Sequence, residues 1–182
     1  MSTDPCTSWS DDALASADQI PRAHIDPIDR EATALALLRA VVAHPSRHET
    51  IVVLLDGVRR GVSIVVVDGT IDPDDVVRSV EVVAEAVSRA VARHDTDPVH
   101  ESAIGALVVA SVRPDPIDHL DDLLDADRWL HLDEITERHG IELVEWFVLQ
   151  GDGVDLISRP RELLDERPRW SPTRRHGGVR WA

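Results

Sequence analysis

The residues that could carry chemistry in this chain are histidines, aspartates and a few glycine turns. His44-Pro45-Ser46-Arg47-His48 sets two imidazoles four positions apart, the spacing at which one helix offers both to a metal. Pro45 removes a backbone donor and clashes with the preceding turn, so that helix cannot run through, and a surface loop is expected. A second concentration, Asp115, Asp118, His119, Asp121, Asp122, Asp125 and Asp127, supplies oxygen ligands of the kind hard cations take. Its spacing is not that of a calcium loop, and carboxylates also gather at helix N-termini to meet the macrodipole. Solvated helix-start residues are therefore the expectation, with a metal held by His119, Asp122 and Asp125 as the alternative. His131 and His139 share roughly one helical face but have no obvious third ligand.

Other motifs fall away on inspection. Gly151-Asp152-Gly153 lacks the third glycine of a dinucleotide loop, and Gly61-Val62-Ser63 lacks the second glycine of a nucleophile elbow. Cys6 is the single cysteine, so neither an internal disulfide nor a thiolate zinc site can form. Trp129, Trp146 and Trp170 are expected in the core or as its lid. Trp181 beside Arg180 reads either as a short docking motif or as part of a plain tail.

The elements that must position these groups follow from composition and periodicity. The 182 residues suit one domain with ragged ends, and 43% are hydrophobic, enough for a core. With no tyrosine and one phenylalanine, Phe147, that core must be aliphatic with a few tryptophans. The formal charge of −15 repels phosphate backbones and anionic lipid. The small basic spots at Arg59 and Arg60, and at Arg174, Arg175 and Arg180, are not nucleic-acid footprints. Met1-Ser2-Thr3-Asp4 opens without a basic or apolar leader, and runs such as residues 64–67 are too short to span a bilayer, so a cytoplasmic location is expected.

Residues 1–28 are polar, with scattered Pro and Asp, and predict a disordered lead-in. Leu35, Leu38 and Val42 recur at helical spacing over 31–42, and Pro45 ends that helix. Residues 49–56 and 61–67 are β-branched runs that predict a hairpin. Asp72-Pro73 opens a helix whose buried stripe is Val76, Val80, Val83, Val87 and Val91. A continuous apolar run, 103–110, predicts a strand covered on both faces. An acidic loop, 114–118, leads to a helix that Gly140 terminates, then a strand over 141–149, a short edge over 154–157 and a last helical turn over 160–166. The order α-β-β-α-β-α-β-(β) predicts an α/β domain over 29–168, with a mixed central sheet flanked by helices and a disordered tail over 169–182.

One stretch resembles a known family. Ala106-Leu-Val-Val-Ala-Ser111-Val-Arg113-Pro114, running through Gly140-Ile-Glu-Leu-Val-Glu145-Trp146-Phe-Val-Leu, is similar to the JAB/MPN domain of RadC-type proteins. In that family a strand ends in His-x-His-Pro, a loop leads to Ser-x-x-Asp, and a helix ends in Gly-Ile before the next strand. The upstream run 49–56 and the Val67-Asp-Gly69-Thr70 turn extend the likeness over about residues 31–157. The resemblance implies a JAB/MPN (cytidine-deaminase-like) architecture, and in its catalytic members a zinc held by two histidines and an aspartate with a glutamate handling water.

Here the His-x-His positions hold Ser111 and Arg113, Trp146 stands where a histidine is often found, Asp122-x-x-Asp125 keeps the aspartate with one residue gained in the loop, and Glu49 lies near the glutamate. Serine is a poor zinc ligand and arginine offers no lone pair. The resemblance thus implies a degenerate member without catalytic residues, metal or cofactor, whose partner is another protein, with a homodimer left open. The alternative is a binder of a small anion, or a hydrolase, rebuilt around Arg113, Ser111, His119 and Asp125. Membrane association and direct nucleic-acid contact are not expected.

Overall fold

The computed structural model describes residues 20–94, 104–114, 119–150, 155–167 and 169–170, with the side chains of 92–94, 119–122 and 157 left out of that description. Its elements are α1 (Glu31–Val41), β1 (Glu49–Asp56), β2 (Gly61–Asp68), α2 (Asp75–His94), β3 (Ile104–Arg113), α3 (His119–Arg138), β4 (Glu142–Gln150) and β5 (Asp155–Ser158), followed by a 3-10 turn, Pro160–Leu164. The strands form one mixed sheet in the order β2-β1-β3-β4-β5. β3 and β4 are parallel, joined through α3, and the other neighbours are antiparallel. The α/β class and the mixed sheet are as the alternation of patterns predicts.

Two apolar cores lie on the two faces of this sheet. On one face Val52, Leu54, Leu107, Val109, Trp146 and Val148 meet α2 and α3 through Val80, Trp129, Leu132 and Ile135. On the other, Ile51, Val53, Val108, Phe147 and Leu149 meet α1 through Leu35 and Leu38, together with Ile28. β1, β3 and β4 are central and covered on both sides, which is why their sequences are mostly apolar, with Glu145 the exception inside β4.

Several expectations shift. β3 runs to Arg113 rather than ending at Ala110, because β1 and β4 both continue to pair with it, Glu49 with Val112 and Gln150 with Arg113. α2 begins at Asp75. Asp72 first makes a turn, its carboxylate accepting the Asp74 N–H at 2.9 Å. Val91 is exposed, unlike Val76, Val80 and Val83. α3 stops as predicted at Gly140, whose φ of +71° suits glycine, with the Ile141 N–H closing onto the Thr136 carbonyl at 2.9 Å.

The ordered unit also starts earlier and ends later than composition suggests. Within the expected lead-in, residues 20–28 form a strap over the β1–β2 hairpin. His24 donates to the Gly61 carbonyl at 2.9 Å, Ile28 donates to the Arg59 carbonyl at 2.8 Å, and the Ile28 side chain is buried. At the other end, Arg169 pairs with Asp133 and Trp170 stacks on Phe147 with centroids 6.1 Å apart. In both segments a few apolar or aromatic side chains with core partners outweigh a polar composition. Residues 1–19 and 171–182, including Arg174, Arg175, Arg180 and Trp181, lie outside the described residues.

Candidate functional site

Strand periodicity assembles the site at the C-terminal end of β3. Leu107 and Val109 face α2 and α3, and with period 2 so do Ser111 and Arg113. Thr50, which stands opposite Ser111 in the register, shares that face, and so does Trp146 on β4. From above, α3 lowers Asp125, which sits on the helix stripe that also carries Trp129, Leu132 and Thr136, all buried completely.

These side chains satisfy one another. Arg113 grips Asp125 in a bidentate fork, Nη1 to Oδ2 at 2.8 Å and Nη2 to Oδ1 at 2.9 Å. Arg128 adds a third bond, Nη1 to Oδ1 at 2.9 Å, and its Nε reaches Asp74 at 2.7 Å. That hydrogen bond from Arg128 holds the Asp74 carboxyl below its ordinary pKa. Two cations thus meet two carboxylates, and Asp125 is fully buried with three charge-assisted bonds. The Arg113 guanidinium carbon stands 6.0 Å from the Trp146 ring centre, and Trp146 Nε1 donates to Ser111 Oγ at 3.0 Å. Thr50 Oγ1 donates to Thr70 Oγ1 at 3.2 Å.

The structure brings together Ser111, Arg113, Asp125 and Trp146, and sets Glu49 apart. Glu49 pairs with Val112, whose side chain lies in the α1 core, so Glu49 points to the opposite face of the sheet from Arg113. There its Oε1 accepts the Ala43 N–H at 2.9 Å, with Arg47 Nε 3.6 Å from Oε2. The residue on the site side is Thr50, one step along. Strand parity alone would have placed it there once β1 and β3 were paired in register.

The donor set does not fit zinc. An arginine cation and a serine stand where imidazoles would be needed, and both oxygens of Asp125 are taken by guanidinium groups. Of the alternative trio, Asp125 is committed in this way, while the side chains of His119 and Asp122 lie outside the described residues. No group of three His, Cys, Asp or Glu side chains among the described residues is arranged to hold a metal. Arg113, 8% exposed with both Nη atoms on Asp125, is equally ill placed to seize a small anion. The His44–His48 segment is not helical, as Pro45 requires. The basic spot at Arg59 and Arg60 is neutralised. Arg59 is buried and bonds Glu142 at 2.9 Å, and Arg60 bonds Asp56 at 2.7 Å.

A second buried ion pair escaped the sequence reading. Glu145 sits beside a β-bulge in β4, where the register against β3 slips between Leu107 and Val108. Its Oε2 accepts from Arg161 Nε at 2.5 Å, and Arg161 Nη1 also donates to the Glu166 carbonyl at 2.9 Å. Burial pushes the Glu145 carboxyl up to about 7, against the opposing pull of Arg161. The available signal was Glu145, the one carboxylate inside the apolar run 143–149.

Two open hollows lie away from this cluster, one of about 580 Å3 between the strap and the start of α1 and one of about 290 Å3 between the strap, α1 and β2. No helix among the described residues is long and apolar enough to cross a membrane. Compared with known proteins, the chain matches no family model, no curated protein and no solved structure.

Proposed function

We propose that this chain is a non-catalytic JAB/MPN-like domain that acts as a protein-interaction or regulatory scaffold. The observation that carries the reading is the Arg113–Asp125 fork. At the end of β3, where the resemblance implies a zinc between two imidazoles and an aspartate, a guanidinium fixed to the chain bonds the aspartate instead. A built-in cation of this kind supplies the charge that Asp125 needs, without an open position at which water could be activated.

The parallel β3–α3–β4 unit and the hairpin before it have the order that the resemblance calls for, which supports the lineage. Glu49, facing away, leaves that side of β1 with Thr50, which is no general base at neutral pH. The acidic balance of the chain, −15, favours a protein partner over nucleic acid.

Zinc content of untagged protein, with a zinc-titrated thermal melt, tests the reading. The expected result is no stoichiometric metal and no rise in melting temperature. One zinc per chain with a clear rise would overturn it. The double variant Ser111→His with Arg113→His tests the lineage separately, because it frees Asp125 from the fork and offers two imidazoles on the same strand face. It is expected to gain a zinc-dependent rise in melting temperature that the parent lacks, and equal melts with and without zinc would remove the support for the lineage.

A further inference from the structure

From β5 onward the chain forms an arm laid over one edge of the sheet. β5 is four residues long and pairs with Val148, Leu149 and Gln150 of β4. Beyond it the arm is tied down by three arginines, each to a carboxylate on a different element. Arg159 bonds Glu31 of α1, Arg161 bonds Glu145 of β4, and Arg169 bonds Asp133 of α3. Leu156 and Trp170 pack on the α1-side core and Leu164 on the other. The three ties are unequal. Glu31 and Asp133 are 32% and 28% exposed, and pairs of that kind hold little against water and salt. Arg161 and Glu145 are 5% and 0% exposed, so closing the arm takes both charges out of water together. In return Glu145 Oε2 gains one guanidinium bond, while Oε1 accepts the Trp146 N–H at 3.3 Å. Arg161 is better served, since its Nη1 also reaches the Glu166 carbonyl within the arm. The carboxylate is the less satisfied member of the pair, and a proton relieves it.

We propose that this arm opens and closes over β4 and α3 as a unit, and that Glu145 makes its closure depend on pH. The charged groups facing Glu145 are Arg161 and Arg159 on the arm and Glu31 on α1. Around them, Glu162 stands 3.6 Å from Arg159 and 3.7 Å from Arg161, while Glu166 and Asp133 both hold Arg169. Burial raises the Glu145 carboxyl to about 7 in the closed arm, with Arg161 pulling it down and Glu31 adding to the rise. In the open arm the group returns to water and to its ordinary 4.5. Below about pH 4.5 it is neutral in both states, and closure is strongest. Between about 4.5 and 7 the open form has given up its proton and the closed form keeps it, so opening gains about tenfold per pH unit. Above about 7 the gain levels off. With the arm open, the outer edge of β4 loses its strand partner and Phe147 loses the cover of Trp170. The device goes beyond the scaffold reading and stands without it.

Amide exchange of the full chain at about pH 5 and about pH 8, read by mass spectrometry on peptides covering 155–167 and corrected for the intrinsic rate, tests the proposal. The opening constant of the arm is expected to rise about 10- to 70-fold between the two conditions. Peptides of β1 and β3 should open far less at both, because the arm opens without the rest of the sheet. Glu145→Gln keeps an acceptor for Arg161 and removes the titration, so the rise should shrink to within about twofold. Arm opening that does not change with pH, or that rises equally in Glu145→Gln, overturns the proposal. So does an arm that opens with the same constant as β1 and β3, which would make the pH effect one of global unfolding. That last comparison needs the unaltered chain alone.

Discussion

Asp125 and Glu145 are both buried completely, and each is met by an arginine, but their surroundings differ in the number of donors. Asp125 receives three guanidinium bonds from two arginines and no water is needed to complete its shell. Glu145 receives one guanidinium bond at 2.5 Å and a longer one, 3.3 Å, from the Trp146 N–H. With fewer donors, burial dominates and raises its pKa to about 7. The contrast is one of donor count and geometry, and the fuller complement stands at the end of β3, where the resemblance would put a metal.

The largest expected effect comes from breaking the better-satisfied side. Arg113→Ala removes two of the three bonds on Asp125 and leaves a buried charge with Arg128 alone, which should cost about 3–5 kcal/mol. Denaturant titration reads it as a lowered midpoint. If the loss were within experimental error of an exposed Arg→Ala change, the fork would have no structural role.

The other side sharpens the comparison through pH. The Glu145 pKa is raised in the folded state above the ordinary 4.5, so its contribution is fully present below about pH 4.5 and is lost as pH rises through about 7. Stability measured across that window should fall by up to roughly 3 kcal/mol from this group, and Glu145→Gln should flatten that part of the profile. An unchanged slope in the variant would mean that Arg161 holds Glu145 ionised throughout. The smallest effect is expected from Trp146→Phe, which deletes the donor to Ser111 and trims the face over Arg113. About 1–2 kcal/mol is expected, read from the same denaturant titrations.

Much of the frame was legible before the fold was known. Hairpin, buried strands and glycine stop each rest on local chemistry: β-branched runs, the continuous apolar run 103–110, and a left-handed residue at Gly140. What was not legible depended on pairing. The apolar run stops at Ala110, and only continued pairing with β1 and β4 keeps Ser111-Val112-Arg113 in the strand. Glu49 was placed near the site by the resemblance, whereas a strand turns its side chains over at every step, and Glu49 falls on the other face. Asp125 looked like one more solvated carboxylate in an acidic segment. Its position on the Trp129–Leu132–Thr136 stripe marked it as buried, but its partners came from β3 and from its own helix, and neither could be named from helix periodicity alone. The strap was missed for a related reason, whereas Trp170, expected in the core or as its lid, does stack on Phe147. A few apolar side chains in polar company order a segment only when a matching surface lies near.

The central claim is that Arg113 serves Asp125 as its fixed counter-charge. A double-mutant cycle joining Arg113→Met, Asp125→Leu and the paired variant measures that coupling most directly. The account predicts that each single change is strongly destabilising, that the pair together costs far less than their sum, and that the coupling is at least about 1.5 kcal/mol. Additive losses, with a coupling near zero, would contradict it.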